Sequence, residues 1–252
     1  MQTQTKYGII KNGIIEVKKL EFPLISLLRV PHKNSKLVVS WPAFGPKTYS
    51  DNIQEMQKFY SHPQTGEKIF FREPTTSESI SAAAYVFENI AKPQILDPRW
   101  LELGRILRTS QGVYVNPPKD AKDNSVTDEK TLESFLNKTK KVNGIYLCDN
   151  DFGFAPYETF KQGKQDCDEF TEGGLARVLE HTGEKKAQKL GKIASPEFYK
   201  DGVYVWGFDK VKEPFLTVVS LFSNWDLGNY RLLVYGNWCD YDKGYVFGIL
   251  KN

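Results

Sequence analysis

The stretch that most restricts the fold runs from Thr217 to Asn252, TVVSLFSNWDLGNYRLLVYGNWCDYDKGYVFGILKN. Short apolar runs, Thr217–Phe222, Leu232–Val234 and Val246–Leu250, alternate with segments built from Asn, Asp, Tyr, Trp, Ser and Gly. Runs this short and β-branched fit strands, and the polar segments between them carry turn chemistry. The alternation predicts a terminal set of strands whose apolar side chains point inward while the intervening ones project to solvent. Rigid aromatics beside small polar residues are also the vocabulary of antibody-type binding surfaces.

Upstream, two β-branched runs flank Asn12-Gly13 and predict a hairpin over Tyr7–Val17. Strands are expected at Leu24–Val30, Lys36–Trp41, Gly66–Phe71, Gln111–Val115, Gly144–Cys148 and Val203–Phe208. Helices are expected at Asn52–Tyr60, from Thr76 to Ile90, from Thr127 through Leu136, and over Gly174–His181. Asp97-Pro98 has the form of a helix start and predicts a helix carrying Trp100, Leu101, Leu103, Ile106 and Leu107. The lysine-rich segment 183–193 is expected to be exposed. Helices would then dominate the first two thirds and short strands the last third, an α+β arrangement in place of repeated βαβ units.

A length of 252 residues suffices for one substantial core, and no linker or repeat divides the chain. A single domain over 1–252 is expected, with 1–35 as an N-terminal extension. The net charge of +3 is spread along the chain and makes no electrostatic case for nucleic acid. No apolar run reaches membrane-spanning length, so no membrane insertion is expected. The first residues lack the form of a signal peptide; the cytoplasm is the default, and surface display would need a separate export route. The three cysteines, Cys148, Cys167 and Cys239, fit neither a zinc pattern nor a disulfide framework, and free thiols are expected.

Catalytic and metal patterns are missing. Asp149-Asn150-Asp151-x-Gly153 starts like a calcium loop but has Phe160 where the closing acid belongs, and Asp240-x-Asp242-x-Gly244 has Lys251 there. Both read as turns capped by aspartate. His32, His62 and His181 have no metal-ligand spacing. Adjacent aspartates raise the Cys167 pKa, the wrong direction for a nucleophile. No cofactor, no metal and no enzymatic activity is expected.

Spacing gives the tail its specific meaning. Phe222 is followed nine residues later by Arg231, and Arg231 seventeen later by Gly248. Ser220-Leu221-Phe222, Arg231 and Gly248-Ile249-Leu250 together resemble the variable-region pattern of diversity-generating retroelement proteins, in which such elements frame positions mutated at adenines. Val203-Tyr204-Val205-Trp206-Gly207 resembles the family's valine–tryptophan strand, and Phe170-Thr171-Glu172-Gly173-Gly174-Leu175-Ala176 its preceding helix. GRILRTSQGVYVNPPKD, NDFGFAPYETF and VWGFDKVKEP are similar to the archaeal branch. Two departures stand out: Ile249-Leu250 replaces Phe-Arg, and Val218-Val219 replaces Gly-Gly.

The resemblance implies a C-type lectin fold, the version shared with formylglycine-generating enzymes, with short antiparallel strands, packed helices and long irregular loops. It implies a variable ligand-binding region over 220–248. Ser223, Asn224, Trp225, Asn229, Tyr230, Tyr235, Asn237, Trp238, Asp240, Tyr241, Asp242, Lys243 and Tyr245 would form the changeable face. Phe222, Arg231, Phe247 and Gly248 would form the frame, with Phe222, Leu232, Val234 and Phe247 in the core and Arg231 paired with backbone or an acid inside the fold. The expected partner is a macromolecule, most simply a protein, since a shallow aromatic–polar surface suits protein better than a small molecule. The alternatives are a formylglycine-generating-type oxidase, which would need a reactive cysteine pair, and a phage or virus receptor-binding module.

Overall fold

A computed structural model describes residues 3–5, 8–11, 14–17, 23–90, 96, 100–117, 129–137, 139–224, 230–238 and 243–251. The segments up to residue 17 and residues 129, 135, 150 and 238 are described by backbone alone. The chain forms β1 (Thr3–Thr5), β2 (Gly8–Lys11), β3 (Ile14–Val17), β4 (Ser26–His32), β5 (Ser35–Trp41), β6 (Phe44–Lys47) and α1 (Tyr49–Met56). There follow β7 (Tyr60–Ser61), β8 (Lys68–Ile69), β9 (Phe71–Arg72), α2 (Thr76–Asn89), β10 (Trp100–Arg108), β11 (Gly112–Val115), α3 (Glu129–Leu136), β12 (Lys140–Val142), β13 (Ile145–Leu147), β14 (Gly153–Pro156) and β15 (Gly163–Gln165). The last part comprises α4 (Cys167–Glu172), α5 (Gly174–Glu180), α6 (Gln188–Ile193), β16 (Val203–Trp206), β17 (Phe215–Asn224), β18 (Arg231–Trp238), β19 (Gly244–Val246) and β20 (Ile249–Leu250).

The architecture is α+β. The main sheet runs β12-β13-β14-β11-β10-β17-β18-β16-β15, and β19 joins β10 to β6. Most pairings are antiparallel; β16–β18 and β10–β19 are parallel. A second sheet, β4-β5-β20-β9, places the final strand between two early ones. Ser40 and Gly248 lock that return, amide to carbonyl one way and amide to hydroxyl the other. A Cβ on Gly248 would come within 2.6 Å of the Phe44 ring, so only glycine fits there.

The inner face of the main sheet packs on α2, α5 and α6. Leu101, Leu103, Ile106, Val205, Val219, Leu221, Leu232 and Val234 meet Ile80, Ala83, Phe87, Leu175, Leu179 and Leu190 in one buried cluster. Helix α2 is buried almost all round, as its small residues Ala82, Ala83 and Ala84 permit. Its start is fixed by a capping box: Thr75 Oγ1 accepts from the Glu78 amide, and the Glu78 carboxylate accepts from the Thr75 amide. The same carboxylate accepts two bonds, of 2.6 and 2.7 Å, from Arg72.

Three expectations need correction. Trp100–Arg108 is a strand, because β17 pairs along one side and β19 and β11 pair with its two ends on the other, overriding the helix preference of its leucines. Its alternation is disguised by a bulge between Glu102 and Gly104, where a Cβ on Gly104 would lie 2.8 Å from Thr76. Segment 183–193 is not simply exposed: Ala187, Leu190 and Ile193 recur at helical spacing and are buried against the core. Strands also run throughout the first two thirds of the chain.

Candidate functional site

The candidate site is the outer face of β10, β17, β18, β16 and β15. Directly paired residues share a face. Register therefore lines up Lys164 (β15), Tyr204 (β16), Leu233 (β18) and Phe222 (β17) in one row, which stacking of Phe222 on Trp100 extends to β10. Four inter-strand steps of about 4.8 Å make this row about 19 Å long. Trp206, Tyr235, Ser220 and Glu102 form the next row, the last two fully buried, and Arg231 and Asn224 the one on the other side.

The rings interlock. Phe222 stacks on Trp100 with centroids 4.5 Å apart and planes 18° apart. Tyr235 lies 6.0 Å from Trp100 and 4.7 Å from Trp206, and Tyr204 lies 6.2 Å from Trp206. The chemistry changes along the surface. At the β10 end Trp100 and Tyr235 lean on a second core cluster that includes Phe44, Tyr49 and Val246. At the β16 end Trp206 is 42% exposed.

The expected face residues fall into three groups. Asn224 and Tyr235 are half-exposed on this outer face, Asn237 is half-exposed in β18, Tyr230 is 37% exposed just before β18, and Lys243 is exposed before β19. Asn237 is held: its side-chain carbonyl accepts a 2.7 Å bond from Arg108. Ser223 belongs to the opposite face, fully buried, sharing a 2.6 Å bond with the Tyr199 hydroxyl. Tyr245 is half-buried and packs on the main core. Trp225, Asn229, Asp240, Tyr241 and Asp242 lie outside the described residues, as does the side chain of Trp238.

Of the expected frame, Phe247 and Gly248 are buried, as are Leu232 and Val234. Phe222 is not in the core; it is half-exposed in the aromatic row, because strand parity puts Leu221 and Ser223 inward and Phe222 outward. Arg231 is also half-exposed, and its Nε is buried with no hydrogen-bond partner among the described residues. Trp100, Tyr204, Trp206, Leu233 and Lys164 join the surface without having been expected there. The signal for Tyr204 and Trp206 was the strict period of two in Val-Tyr-Val-Trp.

A second polar constellation lies in the interior. Asp151 is buried with a left-handed backbone, φ 62°, at the capped end of α2. Its carboxylate accepts from Thr75 at 2.6 Å, from Ser77 at 2.8 Å and from Lys33. His181 Nδ1 lies 3.5 Å away, and His181 Nε2 bonds the Cys148 carbonyl. Asn116 donates to the Asp151 carbonyl. Burial pushes the Asp151 carboxyl up, but the bonds from Lys33, Thr75 and Ser77 outweigh it and hold the group down at about 2. Close by, Ser81 accepts from Lys189 at 2.7 Å and meets His32 at 2.8 Å. Burial, then the field of Lys189, lowers the His32 pKa, and burial lowers that of Lys189.

No family model, curated protein or solved structure matches the chain. The chemistry must therefore be judged from geometry. Ser77 and Ser81 are 1% and 2% exposed and already bonded, so the interior constellation offers no nucleophile to solvent. It joins the β4–β5 turn, α2, the 149–151 turn, α5 and α6. Cys148 and Cys167 are free and half-buried, and burial raises both pKa values, further reducing thiolate. Among the described residues, no group of three or more His, Cys, Asp or Glu is placed to hold a metal. No helix among them is long and apolar enough to cross a membrane. The outer sheet face, by contrast, offers contact area.

Proposed function

We propose that this chain is a non-enzymatic ligand-binding protein of the diversity-generating retroelement type, with a C-type lectin fold, whose partner is a protein. The observation that carries the reading is the half-exposed row Tyr204–Leu233–Phe222–Trp100 with Tyr235 and Trp206 beside it. Large aromatics in contiguous partial exposure, rimmed by polar side chains, are the usual makings of a protein-binding patch. The pairing of β20 with β5 is in keeping with the fold, since it closes the end of the chain onto an early strand. Asn224, Tyr235 and Asn237, expected to vary, stand among strands anchored through Leu221, Leu232 and Val234. Changes on the outer face then leave the inner face intact.

The test lies in the DNA around the gene. A near-copy of the segment encoding 220–248, differing mainly at adenines, should sit close to a reverse-transcriptase gene. A locus lacking both would refute the retroelement part of the reading.

A further inference from the structure

At one corner of the outer face, positive charge gathers around the carboxylate of Asp201. Asp201 accepts a 2.9 Å bond from the Tyr230 amide and lies in the field of Lys200, Lys164 and Arg231. Lys200 also sits 4.3 Å over the Tyr230 ring. Lys164 and Lys200 are exposed, and Arg231 carries its buried, unbonded Nε. Among the described residues, three cations thus gather about one acid that is already engaged. Directly beside them, Lys164 is in register with Tyr204, and Tyr204 with Leu233, so an apolar floor adjoins the charged corner.

We propose that this corner binds an acidic peptide segment of a protein partner, carboxylates against Lys164, Lys200 and Arg231, and apolar side chains on Tyr204, Leu233 and Trp206. The assignment rests on the binding-protein reading above and deepens it. It makes Lys164, Lys200, Tyr204 and Trp206, all outside the 220–248 region, a constant part of the recognition surface. Charge complementarity selects the acidic partner. A single nucleic-acid strand is the other polyanion to weigh, and the rings argue against it. Base stacking needs open ring faces, whereas Trp100 is covered by Phe222 and Trp206 leans on Tyr235. The cations also sit at one corner instead of tracking a groove.

Fluorescence anisotropy tests this with three labelled probes: a peptide alternating Glu with Leu and Trp, its Gln analogue, and an oligothymidylate of equal charge. The Glu peptide should bind about tenfold tighter than the Gln peptide at low ionic strength, with the gap narrowing as salt rises. Lys164→Glu and Lys200→Glu, both at exposed positions, should each weaken it about tenfold. Lys140→Glu, on β12 at the opposite edge of the sheet, should change nothing. Equal affinity for the Glu and Gln peptides, no binding of any probe at about 1 mM, indifference to Lys164→Glu, or tighter binding of the oligothymidylate would each overturn the proposal. These outcomes are separable from the DNA test, since the corner can bind acid in a protein that no retroelement diversifies.

Discussion

Replacing Asp151 with asparagine probes the interior constellation most directly. Asparagine keeps the size and tolerates a left-handed backbone, so the perturbation is confined to charge and bonding. The carboxyl is held at about 2 against an ordinary value of 3.8. At about 1.4 kcal/mol per tenfold change, linkage makes the ionised group worth about 2 kcal/mol at neutral pH. Because the folded value lies below the unfolded one, that contribution is complete above about pH 5, falls by about half near pH 3, and vanishes below about pH 2. Urea unfolding of wild type and Asp151→Asn at pH 7 and about pH 3 reads the difference. The variant should lose about 2 kcal/mol at pH 7, or about 4–8 °C in Tm for a chain of this size, and about half as much near pH 3. Equal stability at pH 7, or a gap that does not shrink on acidification, would show that Lys33, Thr75 and Ser77 do not stabilise the charged form.

Gly244→Ala should lower stability by about 1–3 kcal/mol, since the added Cβ would lie 2.2 Å from the buried Glu102 carboxyl; denaturant midpoints check this. Phe222→Ala, half-exposed, should cost about 1–2 kcal/mol, against about 2–5 for Leu221→Ala next to it in the core. The reverse order would mean that the strand is out of register. Ser223→Ala should cost about 1–3 kcal/mol by stranding the Tyr199 hydroxyl, and adding Tyr199→Phe should recover part of it. A strictly additive double variant would show that the 2.6 Å bond contributes nothing.

Much of the fold was readable, and the failures have physical causes. The start of α2 at Thr76 and the apolar runs of β5, β17 and β18 announce themselves locally. Strand β10 does not, because Trp-Leu-Glu-Leu-Gly-Arg-Ile-Leu-Arg has helix-forming residues, and its strand character comes from neighbours far away in sequence. The site was half legible. Tyr235 and Asn224 follow from composition, but the outward turn of Phe222 depends on parity, and a one-residue difference exchanges the two faces. The Asp151 hub was hidden because its partners come from three separate places in the chain: Lys33, the Thr75–Ser77 cap and His181. In one dimension Asp149-Asn150-Asp151 reads only as a turn.

The position of β20 has a genetic consequence. It fills the gap between β5 and β9, and β19 bridges β10 to β6. A stop codon or frameshift anywhere in 225–243 deletes both strands and bares the backbone of β5 and β9. Substitutions at outward positions of β18 such as Tyr235 leave both in place, whereas Leu232, Val234 and Gly236 are held by the core. The two strands downstream therefore act as a checksum on the reading frame: exchanges of outward side chains pass, and frame-changing insertions or deletions yield a chain that cannot close.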